Sequence, residues 1–92
     1  MKGADQIFSY VKRLHPAQRR AVKAALRSLE AGTAPDILPL SDELEGFYRL
    51  RVGKFRVIFR YLDNQEISCE FIDARDTVYE RFTSMREFLE GR

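Results

Sequence analysis

Between Gly46 and Arg60 the sequence Gly-Phe-Tyr-Arg-Leu-Arg-Val-Gly-Lys-Phe-Arg-Val-Ile-Phe-Arg carries five basic side chains, Arg49, Arg51, Lys54, Arg56 and Arg60, and no acidic one. Two alternating runs flank Gly53-Lys54, a two-residue loop whose leading glycine suits a type II′ turn, so the stretch is predicted to be a β-hairpin. Counting outward from the turn pairs Val52 with Phe55, Arg51 with Arg56, Leu50 with Val57, Arg49 with Ile58, Tyr48 with Phe59 and Phe47 with Arg60. Because strand side chains alternate between faces, one face carries Tyr48, Leu50, Val52, Phe55, Val57 and Phe59 and is a core face. The other carries Arg49, Arg51, Arg56 and Arg60, with Phe47 and Ile58 among them. Arginines directly opposite one another cost a ladder roughly 0.2–1 kcal/mol. An anion held between them accounts for the arrangement; the alternative is a solvated face whose arginine stems cover apolar surface.

A second group with chemical potential lies downstream, in Arg75-Asp76-Thr77-Val78-Tyr79. Thr77 and Glu80 fit a capping box that opens a final helix, and Val78, Phe82, Met85 and Leu89 form its apolar stripe. Tyr79 stands about 100° from that stripe, free to face a site or to stack as a core tyrosine. The acidic run Asp42-Glu43-Leu44-Glu45 reads as a solvated turn rather than an acid/base pair, with Glu45 close enough to the arginines to pair with one.

These groups need a scaffold. Ala4 to Leu14 places Ile7, Phe8, Val11 and Leu14 on one helical stripe. A second helix from Pro16 to about Ala31 turns Ala21, Val22, Ala25, Leu26 and Leu29 inward and stops at Gly32. Lys12, Arg13, Arg19, Arg20, Lys23 and Arg27 form the outer flank of the helical pair. His15, at the helix junction, reads as a loop or capping residue. Thr33 to Glu45, with Pro35 and Pro39, is predicted to be a loop. After a turn near Asp63-Asn64-Gln65-Glu66, Ile67 to Ala74 returns as a strand. Keeping Cys69 and Phe71 on the core face sets Tyr61 against Cys69, Phe59 against Phe71, Arg60 against Glu70 and Ile58 against Ile72, which leaves Arg49, Arg51 and Arg56 unpaired. The predicted fold is α+β: two N-terminal helices on a small antiparallel sheet of three or four strands, followed by a C-terminal helix.

Ninety-two residues make one small domain spanning residues 1–92. A net charge of +2 says little about partners; the information is in the segregation of arginine. The single cysteine, Cys69, excludes an internal disulfide and reads as a packed thiol. Without an apolar stretch long enough for a membrane, or a signal-peptide core, the expected compartment is the reducing cytoplasm.

The Tyr48-Arg49-x-Arg51-Val52-Gly53-x-x-Arg56-Val57-Ile58 string and the Arg75-Asp76-x-Val78-Tyr79 element resemble the RelE/ParE superfamily of bacterial toxin–antitoxin toxins, over most of the chain. Members resembling RelE bind the ribosomal A site and cut mRNA; those resembling ParE poison DNA gyrase on much the same fold. Arg75 and Tyr79 match the ending of the RelE-type pattern and favour that branch. The resemblance places its basic pair on Arg49 and Arg51, where the best-known RelE-type site has lysines, and its central arginine on Arg56. It implies a cognate antitoxin as partner, ribosome and mRNA as targets with DNA gyrase as the alternative, and a monomer or a toxin–antitoxin heteromer. The basic helical flank then reads as solvated or as touching ribosomal RNA. A relative that binds its antitoxin without catalysis stays open as a third reading.

Metal-independent RNA cleavage uses the adjacent 2′-hydroxyl as nucleophile and needs a base, cations for the phosphorane-like charge and an acid for the leaving 5′-oxygen. Arginine forks match phosphate but are poor bases. On this reading Arg51 and Arg56 stabilise the transition state, Arg75 assists the leaving group, and Arg49, Lys54 and Arg60 hold phosphate. Tyr79 is the candidate base or base-orienting group, its pKa expected to be lowered by the guanidinium charges. No metal or cofactor is expected.

Overall fold

The alternating runs and the two periodic helical stretches form a five-stranded mixed sheet covered on both faces, seen in a computed structural model that describes residues 1–91. In chain order the elements are β1 (Lys2–Gly3), α1 (Asp5–Lys12), α2 (Pro16–Ala31), β2 (Ile37–Pro39), a 3₁₀ turn (Asp42–Leu44), β3 (Tyr48–Val52), β4 (Phe55–Tyr61), β5 (Ile67–Ala74) and α3 (Thr77–Glu90). The spatial order of strands is β1-β5-β4-β3-β2. The α+β class and the helix order are as the sequence indicated, but the sheet has five strands where three or four were expected. The short β1 pairs in parallel with β5, and β2 emerges from the expected loop to pair with β3. Proline ends β2 without harm because an edge strand does not need every N–H.

The hairpin register is the predicted one from Tyr48↔Phe59 through Val52↔Phe55. Gly53, at φ +58°, supplies the left-handed first position that a type II′ turn demands. Leu50, Val57 and Phe59 are buried with Ile7, Val11, Val22 and Leu29 under α1 and α2. Two members of the predicted helical stripes lie outside this core: Phe8 is 65% exposed, and Ala21 faces solvent. The left-handed stop at Gly32 forms as expected.

The β4–β5 register differs from the expected one. Tyr61 pairs with Ile67, Arg60 with Ser68 and Phe59 with Cys69; after a bulge, Ile58 pairs with Phe71 and Val57 with Ile72. Glu70 is the extra residue, and it sends Cys69 and Phe71 to opposite faces. Cys69 joins the core under α1 and α2, whereas Phe71 joins a second core with Ile58, Leu44, Val78 and Phe82 beneath α3. The parity argument assumed one buried face; with both faces covered, an apolar residue is welcome on either.

At its start α3 departs from the expected capping box. Asp76 is the cap residue, and the Thr77 hydroxyl donates to the Ala74 carbonyl at 2.6 Å. Where β1 ends, Gln6 takes over its role as edge strand. Its side-chain amide donates to Ile72 O at 2.7 Å and accepts from Ile72 N at 2.8 Å, reproducing a backbone pairing against β5.

Candidate functional site

The side of the sheet under α3 is divided along its length. Ile58, Phe71, Val78 and Phe82 fill its middle, with the Phe82 ring 5.3 Å from that of Phe47 and 5.8 Å from that of Phe71. Arg86 lies 4.9 Å over the Phe47 ring and donates to the Glu43 carbonyl, fixing the C-terminal half of α3. Toward the hairpin turn the helix gives way and the cations are open: Arg51 and Lys54 are exposed and Arg56 is half-buried. The expected stripe fades at its end, since Leu89 is 60% exposed.

Arg49 and Arg51 are not unpaired, as the strand pattern predicted. Asp36, immediately before β2, reaches Arg49 Nη2 at 3.4 Å through Oδ1 and Arg51 Nε at 3.7 Å through Oδ2. Asp36 thus takes the place foreseen for Glu45, which makes no ion pair among the described residues. Arg49 is 7% exposed, so its counter-ion matters: a buried guanidinium without a partner is costly. Arg56 Nη1 donates to Gly53 O at 2.8 Å and Phe55 O at 3.0 Å, and so braces the hairpin tip.

Arg75 occupies a left-handed position, φ +53°, in the turn between β5 and α3. Its backbone N–H donates to Lys54 O, which brings Arg75 beside the hairpin tip and Lys54. Strain of this kind at a non-glycine residue costs on the order of 1 kcal/mol. Arg60 stands apart. It is about 13 Å along β4 from Arg56 and is paired with Glu70 at 3.2 Å, which in turn accepts from Ser68 Oγ. That Arg60–Glu70 pairing was expected from the strand pattern, although Ser68 is the cross-strand neighbour.

Tyr79 is half-buried on α3, where the charges of Arg49 and Arg56 reach it. Its phenol nevertheless titrates above its ordinary value: burial is the largest cause, ahead of the opposing pull of Arg49, and Asp76 adds to it. The expected lowering does not occur, so at neutral pH Tyr79 carries its proton. A groove of about 680 Å³ flanks it, lined by Leu40, Asp42, Leu44, Glu80 and Thr83 among others. Its carboxylates make it a poor phosphate site.

Behind this surface Asp73 links three elements. It accepts from Arg81 Nη1 of α3 at 2.7 Å, from Tyr10 Oη of α1 at 3.4 Å and from the Ala74 N–H at 2.8 Å. Burial first, then the Asp73 charge, pushes the Tyr10 phenol up. Through Arg81 this carboxylate ties β5 to the part of α3 that bears Tyr79. Sequence reasoning missed Asp36, Asp73 and Gln6; an acidic residue directly opposite Arg56 on a strand was the one available signal, and it required the correct β5 register.

Residues 2–77 match the ParE toxin of the type II toxin–antitoxin system, parDE. The chain belongs to this toxin family. The toxin shares its fold with a chain of the RelB–RelE antitoxin–toxin complex from Methanococcus jannaschii, at a TM-score of 0.68 and 17% identity over 89% of this chain and 99% of that one. It is likewise similar to a chain of the RelBE2 toxin–antitoxin complex from Mycobacterium tuberculosis, at 0.64 and 23% over 80% and 94%. The YoeB–YefM complex from Staphylococcus aureus gives 0.63 and 18% over 80% and 93%. At these identities the likeness is one of fold. None of the curated proteins matches the toxin.

Proposed function

We propose that the toxin is a ribosome-dependent mRNA endoribonuclease that stops translation, with a cognate antitoxin as its partner. The observation that carries this reading is the grouping of Arg49, Arg51 and Arg56 on one partly open sheet face, with Tyr79 of α3 within reach of the Arg49 and Arg56 charges and the backbones of Lys54 and Arg75 joined at its rim. Guanidinium forks bind phosphate and stay charged at physiological pH. In the proposed reaction the 2′-hydroxyl gives its proton to solvent water and attacks the neighbouring phosphorus while Arg51 and Arg56 stabilise the charge that develops on the phosphoryl oxygens. Arg49 and Lys54 hold phosphate. The bond to the 5′-oxygen breaks, and Tyr79, protonated at neutral pH, is suited to supply that oxygen with its proton rather than to remove the first one. Arg75 assists the same departure. Arg60, tied to Glu70, is left at most a peripheral phosphate contact. The solved relatives, being complexes of toxin and antitoxin, support the antitoxin as partner.

A second reading, gyrase inhibition by binding, draws support from the family match to the parDE toxin. Primer extension on cellular mRNA after brief induction separates the two. Discrete cuts within translated codons are expected; intact mRNA together with gyrase-dependent DNA breaks would replace the first reading with the second.

A further inference from the structure

We infer that Asp36 is an internal occupant of the arginine face, a carboxylate that bridges Arg49 and Arg51 where a substrate phosphate would bridge them and that must be displaced on binding. The inference rests on the phosphate-binding reading of that face. Arg49 and Arg51 lie two residues apart on β3 and therefore point to the same side. Asp36 contacts one guanidinium with each carboxylate oxygen, at 3.4 and 3.7 Å. Two oxygens of one anion shared between two guanidiniums is also the geometry by which a phosphate diester would engage the pair. The backbone keeps the carboxylate there, because Asp36 O accepts from Arg51 N at 3.1 Å as β2 begins.

The two partners are held unequally. Arg49 is buried and has Asp36 as its ion-pair partner, whereas the Arg51 and Asp36 side chains are 55% and 45% exposed. A half-exposed contact of this kind is weakened by solvent, so an incoming phosphate can open it. Asp36 therefore sets a threshold: weakly held anions do not dislodge it, while a polyanion that also engages Arg56 and Lys54 does. It is a specificity-determining residue that acts by competition, without touching the reacting atoms.

The test is pyrophosphate titration of the free toxin, followed by the NMR signals of the Arg49 and Arg51 Nε–H groups and the Asp36 carboxyl carbon. In the wild-type protein the Asp36 signal is expected to move with the arginine signals. Asp36→Asn is expected to bind about tenfold more tightly, the factor that corresponds to releasing about 1.4 kcal/mol of competition. Asp63→Asn, which makes the same charge change in the exposed β4–β5 turn, is expected to stay within about twofold of wild type. Equal gains in the two variants, weaker binding by Asp36→Asn, or an Asp36 signal that stays still while the arginines shift would overturn the inference. Absence of pyrophosphate binding in every protein would overturn the phosphate-binding reading itself, and this inference with it.

Discussion

The two faces of the sheet use similar apolar residues to opposite ends. Under α1 and α2 the core runs unbroken from Ile67 and Cys69 through Phe59 and Val57 to Leu50. Under α3 the apolar patch stops at Ile58 and Phe71, and the surface nearer the turn is given to arginines that the first face would not tolerate. One face is committed to stability. The other keeps just enough packing to seat a helix that carries Tyr79, and leaves the remainder of its area to charge.

Substitutions ought to separate along that division. The largest effect on stability is expected from Phe59→Ala, about 3–5 kcal/mol in urea denaturation, a large share of what a chain of this size can hold. Phe82→Ala is expected to approach that figure and also to slow cleavage, because it loosens the helix that positions Tyr79. Arg56→Ala inverts the pattern: about 100- to 1,000-fold lower mRNA cleavage, with a loss of stability far smaller than that of Phe59→Ala, limited to its two hydrogen bonds at the hairpin tip. If Arg56→Ala were as destabilising as Phe59→Ala, the division into a stability face and a chemistry face would fail.

A smaller effect belongs to the first face alone. Burial pushes the Cys69 thiol up to about 11, while in the unfolded chain it titrates near about 8.5. The folded state keeps a proton that the unfolded chain releases, so this contribution is fully present below about pH 8.5 and is lost as pH rises toward 11, on the order of 3 kcal/mol. Comparing denaturation of wild type and Cys69→Ala across that window isolates it; parallel curves would contradict it. Smallest is Gly53→Ala, expected to cost about 1–2 kcal/mol through the left-handed turn, although open space surrounds the added Cβ. Its measure is the same urea titration.

The hairpin was legible because Gly53 and the alternating runs fix its register locally; for Tyr79 the 100° offset left a site-facing and a core position open, and the side chain combines them, packing against the core under α3 within reach of the charges of Arg49 and Arg56. What escaped depended on the other covering layer. The bulge at Glu70 could not be read from alternation, because α3 makes the second face apolar too and removes the penalty for placing Phe71 there. Strand β2 was hidden by Pro35 and Pro39, which punctuate a loop and an edge strand alike. Asp36 was hidden with it, and so the Arg49–Arg51 pair seemed free. The direction of the Tyr79 shift failed for a related reason: charge argued for lowering, but the helix that brings Tyr79 to the arginines also buries it, and burial prevails.

Cleavage of a defined mRNA on programmed ribosomes by wild type and Tyr79→Phe, at matched concentration, tests the central claim most directly. Discrete cuts by the wild-type toxin and a rate at least about 100-fold lower in the variant, with unchanged thermal unfolding, are the predicted result. Near-wild-type cleavage by Tyr79→Phe, or no cleavage by the wild-type toxin, would contradict it.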